Sequence, residues 1–501
     1  METSPVKFKG DYIGSEFFKS DSGEESWQVH SPADLKDLVF EPEAFFNHVD
    51  KAVEAARQAY KTWSATSLGE RKETLLRLQK VFKDRADEMA QVISRETGKP
   101  LWEAKTEAAA LSAKIDVTLG HSLKHIEGET IKDALPGVDG VIRYKPRGVF
   151  AVLGPFNFPA HLPNGHIIPA LLTGNTVIFK PSEKTAAVGQ LYAEMVHEAG
   201  FPKGVFNLLQ GRVETGKRLT THEGIDGILF TGSYEVGLKI KQDTITHFWK
   251  MLALEMGGKN ATVVWEDAEL EKAVYESLIG SFLTSGQRCS CTSRLILHKN
   301  IYDQFMERFY KNAKKLKIGH WSEDVFMGPL ISGDSVEKYL RFQEIAKREG
   351  AESLMRGKAL DLSHQGHYVT PSINLVKEYD PKSVYQKSEI FGPNVSVFKV
   401  DDFEQALEIN NSTGFGLVTA LFTKDKKLYE KALLEARVGL VNWNRTTNGA
   451  SSKLPFGGMG KSGNDRPSGD LAIQYCTVPV ASLEDHTQGL PAKLMPGLSF
   501  E

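Results

Sequence analysis

The sequence predicts an α/β protein with two parallel-sheet domains and a small additional β unit. Two observations carry this. Short apolar runs, GVFAVLG (148–154), NTVIFK (175–180), VFNLLQG (205–211) and GILFTG (227–232), alternate with helical patterns such as TAAVGQLYAEMVHEAG (185–200). Strands that alternate with helices signal a parallel sheet wound with helices. A second set starts near residue 260: ATVVW (261–265), a helix over 267–285, RLILH (294–298) and a helix over 302–317.

The remaining elements follow in chain order. Segments 51–63 and 70–96 carry apolar residues at helical spacing, and Gly98 and Pro100 stop the second of them. Residues 125–148 have Gly, Pro and Asp punctuation around short β-favouring runs, as in a protruding hairpin. The stretch 148–179 has 32 residues without Asp, Glu, Lys or Arg. About 20 apolar residues span a bilayer, but Pro155, Pro159, Pro163 and Pro169 interrupt this run. Each interior proline costs a helix about 3 kcal/mol. Buried strands and loops lining an active site are expected there instead. The tail 474–482 reads as one strand.

Composition narrows the function classes. The 501 residues carry 61 basic and 64 acidic side chains, a net charge of −3, with 41% apolar residues. Near-neutral charge gives no reason to expect nucleic acid or an anionic membrane as partner. Three cysteines cannot staple so long a chain, and the N-terminus lacks a signal-peptide core, so a reducing cytoplasmic setting is expected.

Several familiar motifs are absent. No G-x-G-x-x-G follows a predicted strand. Gly211, Gly216 and Lys217 have P-loop spacing, but Arg218 replaces the hydroxyl that would meet Mg²⁺. No HExxH or CxxC occurs, and Cys289 with Cys291 is too small a ligand set, so no metal site is expected. Gly232-Ser-Tyr-Glu-Val-Gly237 follows a strand and either opens an anion-binding helix or forms an ordinary β–α turn.

Three residues offer chemistry. Cys289, in SFLTSGQRCSCTSR, is either a small buried hydrophobe or a nucleophile whose pKa is lowered beside Arg288. Glu255, in MLALEMGGK, is either a surface residue or a buried carboxylate with the raised pKa of a general base. Asn157, in GPFNFP, is either a turn residue or a rigid amide that stabilises an oxyanion.

Taken together, GPFNFP (154–159), FKPSE (179–183), FTGS (230–233), LEMGGK (254–259), GQRC (286–289), EIFGP (389–393) and PFGG (455–458) resemble the NAD(P)-dependent aldehyde dehydrogenases, in order and spacing, from about residue 45 to 485. The resemblance implies two Rossmann-like domains with a small β oligomerisation domain. The NAD-binding domain would take 1–124 and 147–257, and the catalytic domain 258–469. Residues 125–146 and 470–501 would pair across subunits in a homodimer or homotetramer. It implies Cys289 as nucleophile, Glu255 as general base and Asn157 as oxyanion donor. It places NAD against Lys180, Ser182 and Glu183 at the adenosine ribose, with Gly211 and Gly216 nearby. Thr231, Gly232, Ser233 and Gly237 would stand at the pyrophosphate, and Glu389 and Phe391 at the nicotinamide half. A carboxylate at Glu183 favours NAD over NADP.

The stretches 157–176, 252–260, 439–458, 462–469 and 475–484 are similar to the branch of that family acting on N-succinylglutamate 5-semialdehyde. The implied partner is thus a small acidic aldehyde. Glutamate semialdehyde is an alternative, as is an inactive NAD-binding protein. A dicarboxylate substrate needs cationic or N–H-rich contacts; the candidates are Gly449, Ala450 and Ser451, then His161, Arg288 and Arg466.

Overall fold

The computed structural model describes residues 4–464, 466–490 and 493–500. Two seven-stranded sheets dominate it. The first runs in the order Met251–Met256, Gly227–Gly232, Val149–Leu153, Thr176–Lys180, Phe206–Leu208, Asp11–Ile13 and Glu16–Phe18. Its first five strands are parallel, and the N-terminal pair joins antiparallel at the edge. The second comprises Glu352–Met355, Ser372–Val376, Asn394–Val400, Thr292–His298, Asn260–Val264, Val418–Phe422 and Leu440–Trp443, parallel except for the first pair.

The central strands are buried on both faces, which is why they read as continuous apolar runs. Alternate side chains enter different cores. Phe150 and Val152 pack into one cluster, Val149, Ala151 and Leu153 into another. In the second sheet Ile296 faces one core while Leu295 and Leu297 face the opposite one.

Three sequence expectations change. The 70–96 helix is two helices, Leu68–Asp84 and Ala86–Thr97, broken at Arg85. The Arg85 guanidinium pairs locally with Glu88 and, across to another helix, with Glu194 and Glu198; the last two are tertiary contacts that periodicity cannot register. Gly98 ends the second helix in the left-handed region, φ 72°. Pro100 then caps the start of a long helix, Leu101–Gly120.

The 148–179 stretch is not strands and loops alone: His161–Leu172 is a buried helix. Pro163 sits in its first turn, where no N–H is needed. Pro169 removes one interior hydrogen bond, outweighed by burying the ten residues from Pro163 to Leu172.

The tail strand is Thr477–Asp485, preceded by a helical turn, Ala472–Tyr475. It pairs within its own chain, antiparallel to Val138–Pro146 of the expected hairpin, whose other strand is Glu129–Leu135. No helix among the described residues is long and apolar enough to cross a membrane.

Candidate active site

In the first sheet, Val149–Leu153 continues to Thr176–Lys180 on one side and Gly227–Gly232 lies on the other. That reversal is a topological switch point, where open α/β sheets bind ligands beyond their strand ends. A cavity of about 320 Å³ lies there, lined by Gly154 to Asn157 after one strand and Ser233 after the other. A second cavity, of about 250 Å³, lies on the opposite side of Cys289. Cys289 and Asn157 line both cavities, and Glu255 lines the first. The thiol and the amide therefore stand at the junction of two chambers.

The Leu270–Phe282 helix delivers Cys289 through a strained turn. Thr284, Ser285 and Gly286 have successive φ values of 56°, 55° and 70°. Left-handed non-glycine residues cost about 1–3 kcal/mol each and persist only when surroundings fix them. Here Thr284 donates to the Glu103 carboxylate and accepts from Arg288 Nε at 2.6 Å. Ser285 donates to the Gly328 carbonyl at 2.7 Å. A Cβ at Gly286 would stand 2.2 Å from the Gly392 oxygen.

One amide N–H of Asn157 donates to the Gln287 carbonyl at 2.9 Å. Its second N–H remains for a ligand. The Cys289 carbonyl accepts from Asn260 at 2.7 Å, which orients the peptide, and the Cys289 N–H has no intramolecular partner among the described residues.

Glu255, in the Met251–Met256 strand, is 1% exposed, and neither carboxyl oxygen has a good hydrogen bond among the described residues. Burial pushes its pKa to about 8; contact with the Cys289 thiol opposes that shift and the Glu389 charge adds to it. The Cys289 thiol is itself pushed well above its usual range, first by burial, then by the Glu255 and Glu389 charges. The expected lowering by Arg288 does not occur. The Arg288 guanidinium pairs with Glu103 at 2.8 Å and lies over the Phe158 ring.

The residues that hold this geometry were not anticipated. One face of the Leu101–Gly120 helix carries Glu103, Glu107 and Lys114, at helical spacing. Glu103 anchors Thr284 and Arg288. Glu107 accepts from the Ala160 and His161 N–H groups at 3.0 and 3.1 Å and pairs with Lys99 at 2.8 Å. Lys99 in turn donates to the Asn157 carbonyl at 2.6 Å. Lys114 donates to the Gly469 carbonyl at 2.7 Å. Their only sequence signal is acidic residues four apart in an alanine-rich helix, a pattern shared with solvated helix faces.

Of the candidate substrate contacts, His161, Arg288, Ala450 and Ser451 line the 250 Å³ cavity. The Ala450 and Ser451 N–H groups carry no intramolecular hydrogen bond among the described residues. His161 Nδ1 is buried without a partner among the described residues, and burial lowers the imidazole pKa below its usual value. The other two candidates stand outside that lining. Arg466 has φ 49° and donates to the Gly458 carbonyl at 2.9 Å, outside the cavity lining. The Gly449 N–H closes a turn on Thr446.

On the cofactor side, Ser182, Thr231, Gly232, Ser233, Glu389 and Phe391 line the 320 Å³ cavity. Ser233 caps the Tyr234–Asp243 helix, its hydroxyl accepting from Val236 N–H. Gly237 lets that helix pack on Met256. Glu389 accepts from Gly258 N–H at 2.8 Å, and a Cβ at Gly257 would collide with its carboxylate. Phe391 has φ 59° and packs edge-on to Phe156. Lys180 and Glu183 do not line this cavity. Lys180 Nζ donates to the Pro181 and Gly211 carbonyls, with Gly216 beside its stem, which leaves one N–H. The Glu183 backbone carbonyl accepts from the Trp27 indole N–H, and no side-chain hydrogen bond of Glu183 is found among the described residues. Ser335 and Lys338 also line the cavity and carry no sequence motif.

Comparison with known proteins agrees with this architecture. The chain is 40% identical over 476 residues to N-succinylglutamate 5-semialdehyde dehydrogenase of Acinetobacter baylyi, covering 94% of this chain and 96% of that one. It is 41% identical over 457 residues to the enzyme of the same name from Paraburkholderia xenovorans, covering 90% and 92%. Among solved structures it superposes on 1-pyrroline-5-carboxylate dehydrogenase from Thermus with bound NAD, with a TM-score of 0.89, 33% identity, and 95% and 92% of the two chains covered. Residues 17–480 match the aldehyde dehydrogenase family. The chain is an oxidoreductase that acts on a small aldehyde with a nicotinamide cofactor, and it belongs to the aldehyde dehydrogenase family.

Proposed function

We propose that this enzyme oxidises N-succinyl-L-glutamate 5-semialdehyde to N-succinyl-L-glutamate with NAD. The observation that carries the reading is the 40–41% identity, over nine-tenths or more of the chain, to relatives with that name. The unpaired N–H groups of Ala450 and Ser451 support it, because they offer a carboxylate the donors it needs.

The site residues act in order. Cys289 loses its proton to solvent, and the thiolate attacks the aldehyde carbon. The Asn157 amide and the Cys289 N–H bind the oxyanion that forms; one such donor is worth about 2.7–4 kcal/mol. NAD, when bound, supplies the acceptor for the hydride released from that carbon. Glu255 then takes a proton from the water that hydrolyses the Cys289 thioester.

The cofactor-side cavity fits such a group. Ser233 and Gly232 stand at a helix N-terminus, which suits a pyrophosphate. Glu389 and Phe391 would hold the nicotinamide half, and Lys180, Ser182 and Glu183 the adenosine ribose. The Glu183 carboxylate favours NAD over the 2′-phosphorylated cofactor.

The first sheet with residues 1–124 and 147–257 would form the NAD-binding domain, and 258–469 the catalytic domain. Residues 125–146 and 470–501 would join subunits as a dimer or a dimer of dimers. All three cysteines are free, in keeping with a reducing cytoplasm. A second reading, oxidation of unsubstituted glutamate 5-semialdehyde, is favoured by the likeness to 1-pyrroline-5-carboxylate dehydrogenase. Steady-state kinetics on both aldehydes tests the choice: higher kcat/KM for the succinylated compound is expected, and no preference for it would defeat the reading.

A further inference from the structure

The face of the Leu101–Gly120 helix that carries Glu103, Glu107 and Lys114 leads into another cluster just beyond its C-terminus. There His121 and His125 meet Asp470, which lies 345 residues from His125 in sequence. We propose that His121, His125 and Asp470 form a binding site for one divalent transition-metal ion of the Zn²⁺ class, at the outer edge of the substrate-side cavity.

Three independent features support the site. The donor atoms lie within 4.8 Å of one another. An Asp470 carboxylate oxygen stands 2.8 Å from His125 Nε2 and 3.4 Å from His121 Nε2. Ligand atoms at about 2.0–2.1 Å from a tetrahedral ion sit about 3.3 Å apart, so the two Asp–His separations need little adjustment and the two imidazoles, within 4.8 Å of each other, would close onto the ion. The other Asp470 oxygen is sealed from solvent without a hydrogen-bond partner among the described residues, in a residue 3% exposed. A buried, half-satisfied carboxylate is costly, and a cation beside it supplies the missing charge.

The donor set also selects the ion. Two imidazoles with one carboxylate suit a borderline ion such as Zn²⁺ rather than Mg²⁺ or Ca²⁺, which prefer oxygen. The His121 side chain is 45% exposed, so solvent has a route to the site and a water can complete the coordination.

The location gives the ion a consequence. Ser468 and Gly469, immediately before Asp470, line the substrate-side cavity, and Lys114 holds the Gly469 carbonyl. An ion on Asp470 would fasten that wall to the helix that also anchors Arg288 and the Asn157 loop. No spacing motif announces the site, because Asp470 reaches it only through the fold.

The test is Co²⁺ titration of the full-length Cys289→Ser protein, which removes the nucleophilic thiol as a rival ligand. Visible Co²⁺ absorption should saturate at one equivalent and be displaced by Zn²⁺. His121→Ala in the same background should bind Co²⁺ at least about tenfold more weakly, and Zn²⁺ should raise the Tm of the parent but not of the variant. The half-exposed His121 can be removed without loss of fold, verified by an unchanged metal-free Tm. Equal Co²⁺ affinity in parent and variant, or no saturable binding by the parent, would overturn the proposal.

Discussion

Glu107→Gln separates the support of the active site from its chemistry. The Glu107 carboxylate is fully buried and makes three contacts: Lys99 Nζ at 2.8 Å and the Ala160 and His161 N–H groups at 3.0 and 3.1 Å. Glutamine keeps the volume but has only one carbonyl oxygen. Its amide N–H₂ must face either the Lys99 ammonium or the two backbone donors, so one contact becomes donor against donor. Unpairing one member of a buried ion pair costs about 3–5 kcal/mol. The strain falls on the 157–161 segment, because Lys99 also holds the Asn157 carbonyl. An oxyanion donor is worth about 2.7–4 kcal/mol, a factor of about 10²–10³ in kcat. Partial displacement of Asn157 should therefore lower kcat by about 10–100-fold, with a much smaller change in the KM for NAD, since Asn157 alone of the 157–161 segment lines the cofactor cavity. Stopped-flow measurement of NADH formation, with Tm alongside, reads both effects. Adding Lys99→Met should recover much of the lost Tm, because the unpaired charge is gone, yet leave kcat low, because the clamp on Asn157 is gone as well. A wild-type rate in Glu107→Gln, or a double variant that recovers rate and Tm together, would refute the reasoning.

Other variants probe the remaining roles. In the wild type the rate should rise with pH through about 8 as Glu255 ionises; a flat profile from pH 7 to pH 9 would count against Glu255 as base. The same shift has a stability sign. A carboxyl moved from 4.5 to about 8 by burial stays neutral in the fold while the unfolded chain ionises, so its contribution to stability falls as pH rises from 4.5 towards 8. Glu255→Gln should therefore gain more Tm over the wild type at pH 8 than at pH 5, as a melting series would show. Glu183→Gln should lower the KM for NADP relative to NAD; an unchanged ratio would remove Glu183 from cofactor choice. Arg466→Lys should cost Tm through the Gly458 contact while leaving the substrate KM unchanged, and a large rise in KM would restore Arg466 to the substrate site.

The sequence was most legible where local chemistry and tertiary role coincide. The buried parallel strands announce themselves as apolar runs, and Gly98 marks a helix end that is indeed left-handed. Asn157 and Glu255 stood out because apolar, Gly or Pro neighbours surround them, and Cys289 because it stands beside Arg288; the structure places the three about one junction. Legibility failed where burial is decided far away in the chain. Glu103 and Glu107 look like solvated helix charges until Arg288 and the 157–161 backbone arrive from elsewhere. The prolines of the 148–179 run argued against a helix that the surrounding core nevertheless enforces. Arg288 looked like a cation for thiol or substrate, but its charge is taken up by a carboxylate 185 residues away.

The central claim is that Cys289 carries the substrate as a thioester which Glu255 then hydrolyses. Mixing Glu255→Gln with NAD and N-succinylglutamate 5-semialdehyde, and following both NADH formation and intact protein mass, tests it directly. The account predicts a burst of one NADH per site, with the N-succinylglutamyl group accumulating on Cys289 and turnover then slow. Loss of the burst with no adduct, or undiminished steady turnover, would contradict it.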